Sequence, residues 1–493
     1  MARDFAVLRP PHEQADILCS LAQAEVEALS LETAPATIAN ALGALDTAVA
    51  EPARIAAFLE QIVGRLIDAG ADDPVWRPLL ERGLDLAAPF QDATWARLVS
   101  IQDRALGYET VRSGILRGRR RICYDPEALR ILQQTGRESD YALSLNNYAW
   151  RSSAETEGLL TRAQRWTQPL AVLDALATGA NRLLFQHGEF RRAVVVSQEL
   201  MAAAERWGSI PKQAEALFYL ARARAVLGDF TQAECLLTRS NDLAERLGRG
   251  HPLSLLGPWT SSFSAYCLDG DWPAVAAAWE RLATDPPPRL TWFAHLAAAL
   301  TAVACVRAGN VGQARGLLAD LLPLLERAHP WDFVHSGAVS VAGAAHWELG
   351  ESAFAGRIHA LALDLLRSEI ADYPFCSTEL TVARMAALLG EIEEARGYFA
   401  RARVSLEASG QRPLRAIVDY DEALALVRVG APEQARVRAL LDDAESCFAV
   451  CGMQGWIERS QILRRTLNRR RRPAAVSGHP DGLSDREVEI LRL

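Results

Sequence analysis

The sequence predicts an all-α fold, an α-solenoid of helical hairpins with a period of about 40 residues. A glycine recurs at nearly constant steps through much of the chain, and apolar residues at helical spacing lie on both sides of it. Of the 493 residues, 50 % are hydrophobic, so most of the chain can bury enough surface to offset the entropy lost on folding.

The glycine series has seven members, separated by 40, 42, 39, 41, 40 and 40 residues: Gly188, Gly228, Gly270, Gly309, Gly350, Gly390 and Gly430. An alanine follows each glycine by five residues, except that Val275 follows Gly270. Glycine can end a helix because it adopts the left-handed conformation without a Cβ clash. The small residue lets the second helix approach the first. One hairpin cannot bury its apolar face alone, so the hairpins must stack.

The clearest unit predicts a helix over residues 214–227, a turn at 228–230 and a second helix over 231–247. It resembles the tetratricopeptide repeat through residues at that family's signature spacing: Leu217, Ala221, Gly228, Phe230 and Ala233. The family's period is about 34 residues, so the second helices or the connections here must be longer. The resemblance covers roughly residues 177–454 and implies a solenoid of tetratricopeptide-like hairpins.

The organisation predicted for the chain has four parts. They are irregular or degenerate helical hairpins over 1–170, the tetratricopeptide-like array over 171–460, a basic linker containing proline and glycine over 461–482, and a further helix start over 483–493. In the first part, residues 37–48 and 54–69 have helical apolar spacing, and the sequence Asp72, Asp73, Pro74 interrupts it.

The end of the chain has a basic run followed by a helix-start signal. Ser484 and Glu487 form a capping box, which Leu483 and Val488 flank at the spacing of a hydrophobic staple. The string LSDREVEILRL is similar to the opening of the LuxR-type helix-turn-helix domain. The resemblance assigns Leu483, Ser484, Arg486 and Glu487 to the beginning of a DNA-binding domain. An ordinary capping helix on the solenoid is the alternative.

A repeat array, a basic linker and this helix start together resemble the C-terminal layout of the large ATP-binding LuxR-type regulators. In that family the repeats receive an effector or a partner protein, and the helix-turn-helix acts at DNA. The family's P-loop is missing, since the sole lysine, Lys212, follows no glycine loop. The recognition helix is also missing, so we expect this chain to bind DNA weakly, without sequence preference and only in low salt.

The leading functional hypothesis is therefore the signal-sensing or protein-binding portion of a LuxR-type regulator. A protein partner or a small-molecule effector would bind the concave face of the solenoid, and DNA would bind only if the helix-turn-helix were completed. Arg469, Arg470, Arg471 and Arg472 either contact phosphates or form a solvated charge run. The alternative function is a free-standing tetratricopeptide-like adaptor that does not bind DNA. An enzyme regulator or decoy would share the same solenoid.

Other classes of protein have little support in the sequence. The longest apolar stretch, 292–306, is shorter than the roughly 20 residues that a bilayer requires, and no secretion signal is recognised, so we expect a cytoplasmic protein. No catalytic motif is found, so we expect neither an enzyme nor a cofactor.

Four weaker features each have a structural and a functional interpretation. The eight cysteines, including Cys447 and Cys451, are expected to be small buried residues and not metal ligands. His335 and His346, with Asp332 nearby, are either core residues or a ligand set.

Trp272 and Trp279 either pack helices together or line the concave face. The basic patch Arg117, Arg119, Arg120 and Arg121 is either an exposed helix end or a set of ion pairs.

Overall fold

The computed structural model describes residues 9–27, 33–69, 73–102, 125–146, 153–246, 266–268, 270, 272–284, 294–327, 333–368, 372–430 and 433–471. Within these ranges the regular elements are α-helices, without any β-strand, which confirms the all-α solenoid prediction.

The N-terminal part is helical and has a hydrophobic core of its own. Its labelled helices are α1 (Pro11–Glu27), α2 (Ala34–Thr47), α3 (Pro52–Ala69), α4 (Asp73–Ala87), α5 (Pro126–Gln134), α6 (Glu138–Asn146) and α7 (Ser153–Ala163), and residues 93–102 are also helical. Leu59, Ile62 and Ile101 are fully buried in a cluster separate from the core of the array. Of the predicted interruption, Asp73 and Pro74 belong to the first turn of α4, and Asp72 lies outside the described residues.

The array consists of hairpins, and consecutive helices pack on one another within residues 169–246 and again within residues 272–471. Its helices are α8 (Pro169–Phe185), α9 (Phe190–Arg206), α10 (Ile210–Val226), α11 (Phe230–Arg246), α12 (Trp272–Thr284), α13 (Ala294–Arg307), α14 (Val311–Arg327), α15 (Phe333–Leu349), α16 (Ala355–Arg367), α17 (Thr378–Leu389), α18 (Ile392–Ser409), α19 (Arg412–Arg428), α20 (Gln434–Cys451) and α21 (Gln454–Arg471). The first helices of successive hairpins also stack, as α13, α15, α17 and α19 do.

The glycine turns are confirmed at six of the seven predicted positions. Positive φ angles, between 64° and 92°, occur at Gly188, Gly228, Gly309, Gly350, Gly390 and Gly430. Gly270 lies between two residues outside the described part of the chain. The hairpin taken as the clearest unit spans α10 and α11, which agree with the two predicted helices to within four residues.

The alanine that follows each turn is fully buried in five hairpins, as predicted: Ala193, Ala233, Ala314, Ala355 and Ala395. The prediction is wrong for Ala435, which is exposed. On helix α20, Val437 occupies the buried face instead.

The first helix of each hairpin belongs to an inner layer and the second to an outer layer. Helix α19 buries 13 of its 17 residues, whereas α20 buries 6 of 18. A helix buried on all sides belongs inside a protein, and one with a single apolar face belongs at its surface. Polar and charged side chains that the array buries are therefore expected mainly on this inner layer.

The array curls until early and late hairpins touch. Helix α10 packs against α19, and Arg412 Nε donates a hydrogen bond to the carbonyl oxygen of Leu227 at 3.0 Å. Trp456 Nε1 donates to the carbonyl oxygen of Tyr266 at 2.9 Å, although 190 residues separate them. Where these contacts form, the inner face is protein interior and not an open groove.

Candidate functional site

The C-terminal residues assigned by resemblance lie largely outside the described residues. The residues that lie outside the described part of the chain are Leu483, Ser484, Arg486, Glu487 and Arg472. The basic patch at 117–121 also lies outside it. Arg469, Arg470 and Arg471 occupy the last turn of α21. This helix differs from the linker expected from residue 461 onwards. Its apolar side chains explain the continuation, because Leu463 is buried against the array.

A buried ion pair joins two inner helices. Asp421 on α19 is 1 % exposed, and Arg384 on α17 is 4 % exposed. Arg384 Nε donates to Asp421 Oδ2 at 2.8 Å, and Trp347 Nε1 donates to Asp421 Oδ1 at 2.7 Å. Burial opposes the charge on Arg384, but the carboxylate of Asp421 outweighs it and raises the pKa of the guanidinium. Burial raises the pKa of Asp421, although Arg384 and the hydrogen bond from Trp347 oppose this shift, and the two side chains form an ion pair inside the protein.

A second buried group of charges lies beside the first. Glu348 on α15 accepts hydrogen bonds from Arg307 and Arg459, each at 2.7 Å. Burial opposes ionisation, yet the two guanidinium groups lower the pKa of Glu348 to about 2. The Arg307 guanidinium also lies 4.9 Å from the ring centroid of Tyr266 and 5.1 Å from that of Trp456. Attraction between a cation and an aromatic face is strongest where water is excluded.

An apolar cavity of about 70 Å³ opens next to these charges. It lies between α13, α15 and α17. Its wall contains aliphatic and aromatic side chains, among them Trp272, Leu300, Val303, Val341, Ala344, Phe375, Leu380 and Leu414.

Two hydroxyl groups in the cavity wall are buried without a hydrogen-bond partner among the described residues. They are Ser340 Oγ and the phenol oxygen of Tyr266. Burial raises the pKa of Tyr266, so its hydroxyl stays protonated and can donate. The other hydroxyls in the wall are engaged, because Thr381 Oγ1 donates to the carbonyl oxygen of Ser377, and Ser377 Oγ accepts from the amide of Leu380. A buried hydroxyl left unpaired costs about 1–3 kcal/mol, so a native one calls for an explanation.

The segment between α16 and α17 forms one side of the cavity in a strained conformation. Phe375, which lines it, has a φ of 73°, a value that bulky residues rarely adopt. Its neighbour Tyr373 packs so closely on Gly337 that a Cβ there would lie 3.0 Å from the tyrosine ring. Strain of this kind is typical of ligand-holding segments.

Burial raises the pKa of two titratable groups in the same segment. Burial raises the pKa of Asp372 to about 6, although its carboxylate accepts a hydrogen bond from the amide of Thr378 at 2.9 Å. Burial also raises the pKa of the Cys376 thiol, which lines the cavity. The thiol is therefore protonated, and Ser340 lacks a hydrogen-bonded base in the described part of the chain. The arrangement suits holding a ligand better than attacking one.

The histidines singled out from the sequence are core residues. His335 and His346 are both buried in α15, and the His346 ring lies 5.6 Å from that of Phe354. Burial lowers the pKa of His346. Asp332 lies outside the described residues.

A further cluster was not predicted from the sequence. In it, His359, Glu391 and Glu394 place ligand atoms within 4.8 Å of one another. Its two carboxylates are exposed at the start of α18, where negative charge is common.

Trp272 and Trp279, like most of the described cysteines, are packed in the interior. Trp279 is fully buried, and Trp272 is buried in a packed cluster and also contributes to the cavity wall. Cys451 is buried and Cys447 partly so, as predicted. The prediction is wrong for Cys235, which is exposed on the outward side of α11.

Neither the models of known protein families nor the curated proteins contain a match to this chain. Among the described helices, none has the length and apolar character needed to cross a membrane.

Proposed function

We propose that this chain is the signal-receiving repeat region of a LuxR-type transcription regulator, with a DNA-binding domain that begins at Leu483 and is incomplete here. The observation that carries the sensor part of the proposal is an apolar cavity inside the array, with two unpaired hydroxyl groups in its wall. The LuxR part rests on the sequence resemblance at residues 483–493.

A small molecule fits the interior of the array better than a peptide does. The contacts between early and late hairpins close the inner face at the points where they form, including those from Arg412 to Leu227 and from Trp456 to Tyr266. An extended peptide needs an open groove along several repeats. The cavity, in contrast, lies inside the array and does not require such a groove.

A ligand in the cavity would contact several hairpins at once. Trp272, Leu300, Ser340 and Leu414 in the wall belong to four different hairpins. An effector that binds only when these side chains are together stabilises the closed array by mass action. Closed and opened arrangements of the repeats are therefore the two states that an effector would shift.

The cavity wall also contacts the helix that leads toward the C-terminal segment. On helix α21, Trp456 donates a hydrogen bond to the carbonyl oxygen of Tyr266, and Arg459 donates one to Glu348. Ligand binding at Tyr266 would therefore favour one position of α21. We propose this contact as the route by which occupancy reaches residues 483–493.

Deleting residues 473–493 from the native gene tests the regulator proposal. We expect the transcript profile of the cells to change as it does when the whole gene is deleted, because the array alone cannot act at a promoter. Transcript sequencing of the two deletions and of unmodified cells is the measurement.

The adaptor alternative predicts a different outcome. An adaptor uses only the array, so cells with the shortened protein would keep the unmodified transcript profile while the protein accumulates normally. That result would overturn the LuxR-type proposal. Immunoblotting for the shortened protein is the control for its abundance.

A further inference from the structure

Building on the proposed sensor function, we propose that the effector is an apolar carboxylic acid. Its hydrocarbon part occupies the cavity, and its carboxylate accepts hydrogen bonds from Tyr266 and Ser340.

The hydrocarbon part of the ligand is inferred from the apolar side chains of the cavity wall. Leu300 and Val303 on α13, Val341 on α15 and Leu380 on α17 present aliphatic surface, and Trp272 and Phe375 add aromatic surface. Transferring apolar area from water to such a wall is favourable by about 25 cal/mol per Å². A sugar or a nucleotide would leave many polar groups unpaired against these side chains.

The acceptor follows from the two hydroxyls. Ser340 is 4 % exposed, and its Oγ is unpaired among the described residues, as is the hydroxyl of Tyr266. Both groups can donate, and an ionised carboxylate has two oxygens that only accept. A carboxylate can therefore accept from these hydroxyls, which a ligand with donors alone cannot do.

The negative charge of the ligand is inferred from the charged groups that surround the cavity. The charged groups around the cavity are four guanidinium groups and three carboxylates: Arg307, Arg384, Arg428, Arg459, Glu348, Asp421 and Asp372. The local balance is positive, and Arg384 itself lines the cavity. An anion placed there is attracted, whereas an ammonium group is repelled, because screening by water is weak in the interior.

Isothermal titration of the full 493-residue chain with three ligands of equal chain length tests the ligand class. The probes are decanoate, decanamide and decylammonium. We expect decanoate to bind at least about tenfold more tightly than decanamide, since a hydrogen bond to a charged group is worth roughly 1.5–3 kcal/mol. Decylammonium should bind weakest.

Two substitutions in the wall test the placement of the carboxylate. Tyr266→Phe and Ser340→Ala should each weaken decanoate binding about tenfold, with a smaller effect on decanamide. The matched controls are Tyr398→Phe on α18 and Ser197→Ala on α9, which lie outside the cavity wall. Ser197 is a close match because it too is buried with an unpaired Oγ.

The stability of the unliganded variants separates ligand binding from a structural role. Removing an unpaired buried hydroxyl should raise the melting temperature of Ser340→Ala, as it should for Ser197→Ala. Only Ser340→Ala should also lose decanoate affinity. A fall in melting temperature together with unchanged affinity would show a structural hydroxyl and overturn the assignment.

The ligand proposal and the regulator proposal fail in distinguishable ways. If decanamide binds as tightly as decanoate, or if no probe binds, the carboxylic acid proposal is wrong, and the transcript experiment still decides the regulator. If decanoate binds with the expected variant effects and the 473–493 deletion leaves transcripts unchanged, the ligand class stands and the regulator proposal is wrong.

Discussion

Asp421→Asn is expected to lower the free energy of unfolding by about 3–5 kcal/mol, because the change leaves the Arg384 guanidinium buried without its counter-ion. Asparagine keeps an oxygen that can accept from Trp347 Nε1, so the change chiefly removes the charge. The measurement is chemical denaturation followed by far-ultraviolet circular dichroism, with unmodified protein alongside.

A double variant identifies the cause of this loss. Arg384→Met alone leaves the carboxylate unpaired and should be similarly destabilising. Arg384→Met combined with Asp421→Asn removes both charges, so it should be more stable than either single variant. If the double variant is less stable than both singles, the effect comes from lost packing and the ion-pair explanation is wrong.

Gly228→Ala is expected to destabilise the protein by about 2–5 kcal/mol, the second largest effect. The left-handed conformation, with a φ of 92°, costs a non-glycine residue about 1–2 kcal/mol. The new methyl group would also lie 2.9 Å from Cys451 Sγ and 3.2 Å from Pro413, where the early and late hairpins meet. Overpacking at such a contact typically costs a further 1–3 kcal/mol.

The repeat provides a matched control at Gly309. This glycine ends α13 with a φ of 83°, and a Cβ there would meet nothing within 4 Å. Gly309→Ala should therefore show the backbone cost alone. Equal losses in denaturation experiments on the two variants would contradict the contact between early and late hairpins.

Local sequence patterns were enough to predict the hairpins. A glycine at a turn and an alanine on the facing helix act within one unit, so their spacing indicates the same geometry each time. Ala435 shows the limit of this reasoning, because it is exposed and Val437 takes the buried position on α20. The helical N-terminal part was predicted in the same way from apolar spacing.

The candidate site could not be predicted because curvature of the whole array creates it. Tyr266 and Trp456 are 190 residues apart, and no local pattern indicates that they meet. One signal was available: Arg384 interrupts a helix whose neighbouring positions are largely apolar, which is where a charge with a buried partner would be expected. The unpaired hydroxyls of Ser340 and Tyr266 emerge only from the three-dimensional structure.

The central claim is that occupancy of the cavity controls transcription, and filling the cavity tests it most directly. Ala344→Leu in the native gene places a larger side chain in the cavity wall, and Ala202→Leu on the exposed face of α9 is the control. With both proteins at normal abundance, we predict that Ala344→Leu alone shifts the same transcripts as deletion of the gene. An unmodified transcript profile in Ala344→Leu cells would contradict the account.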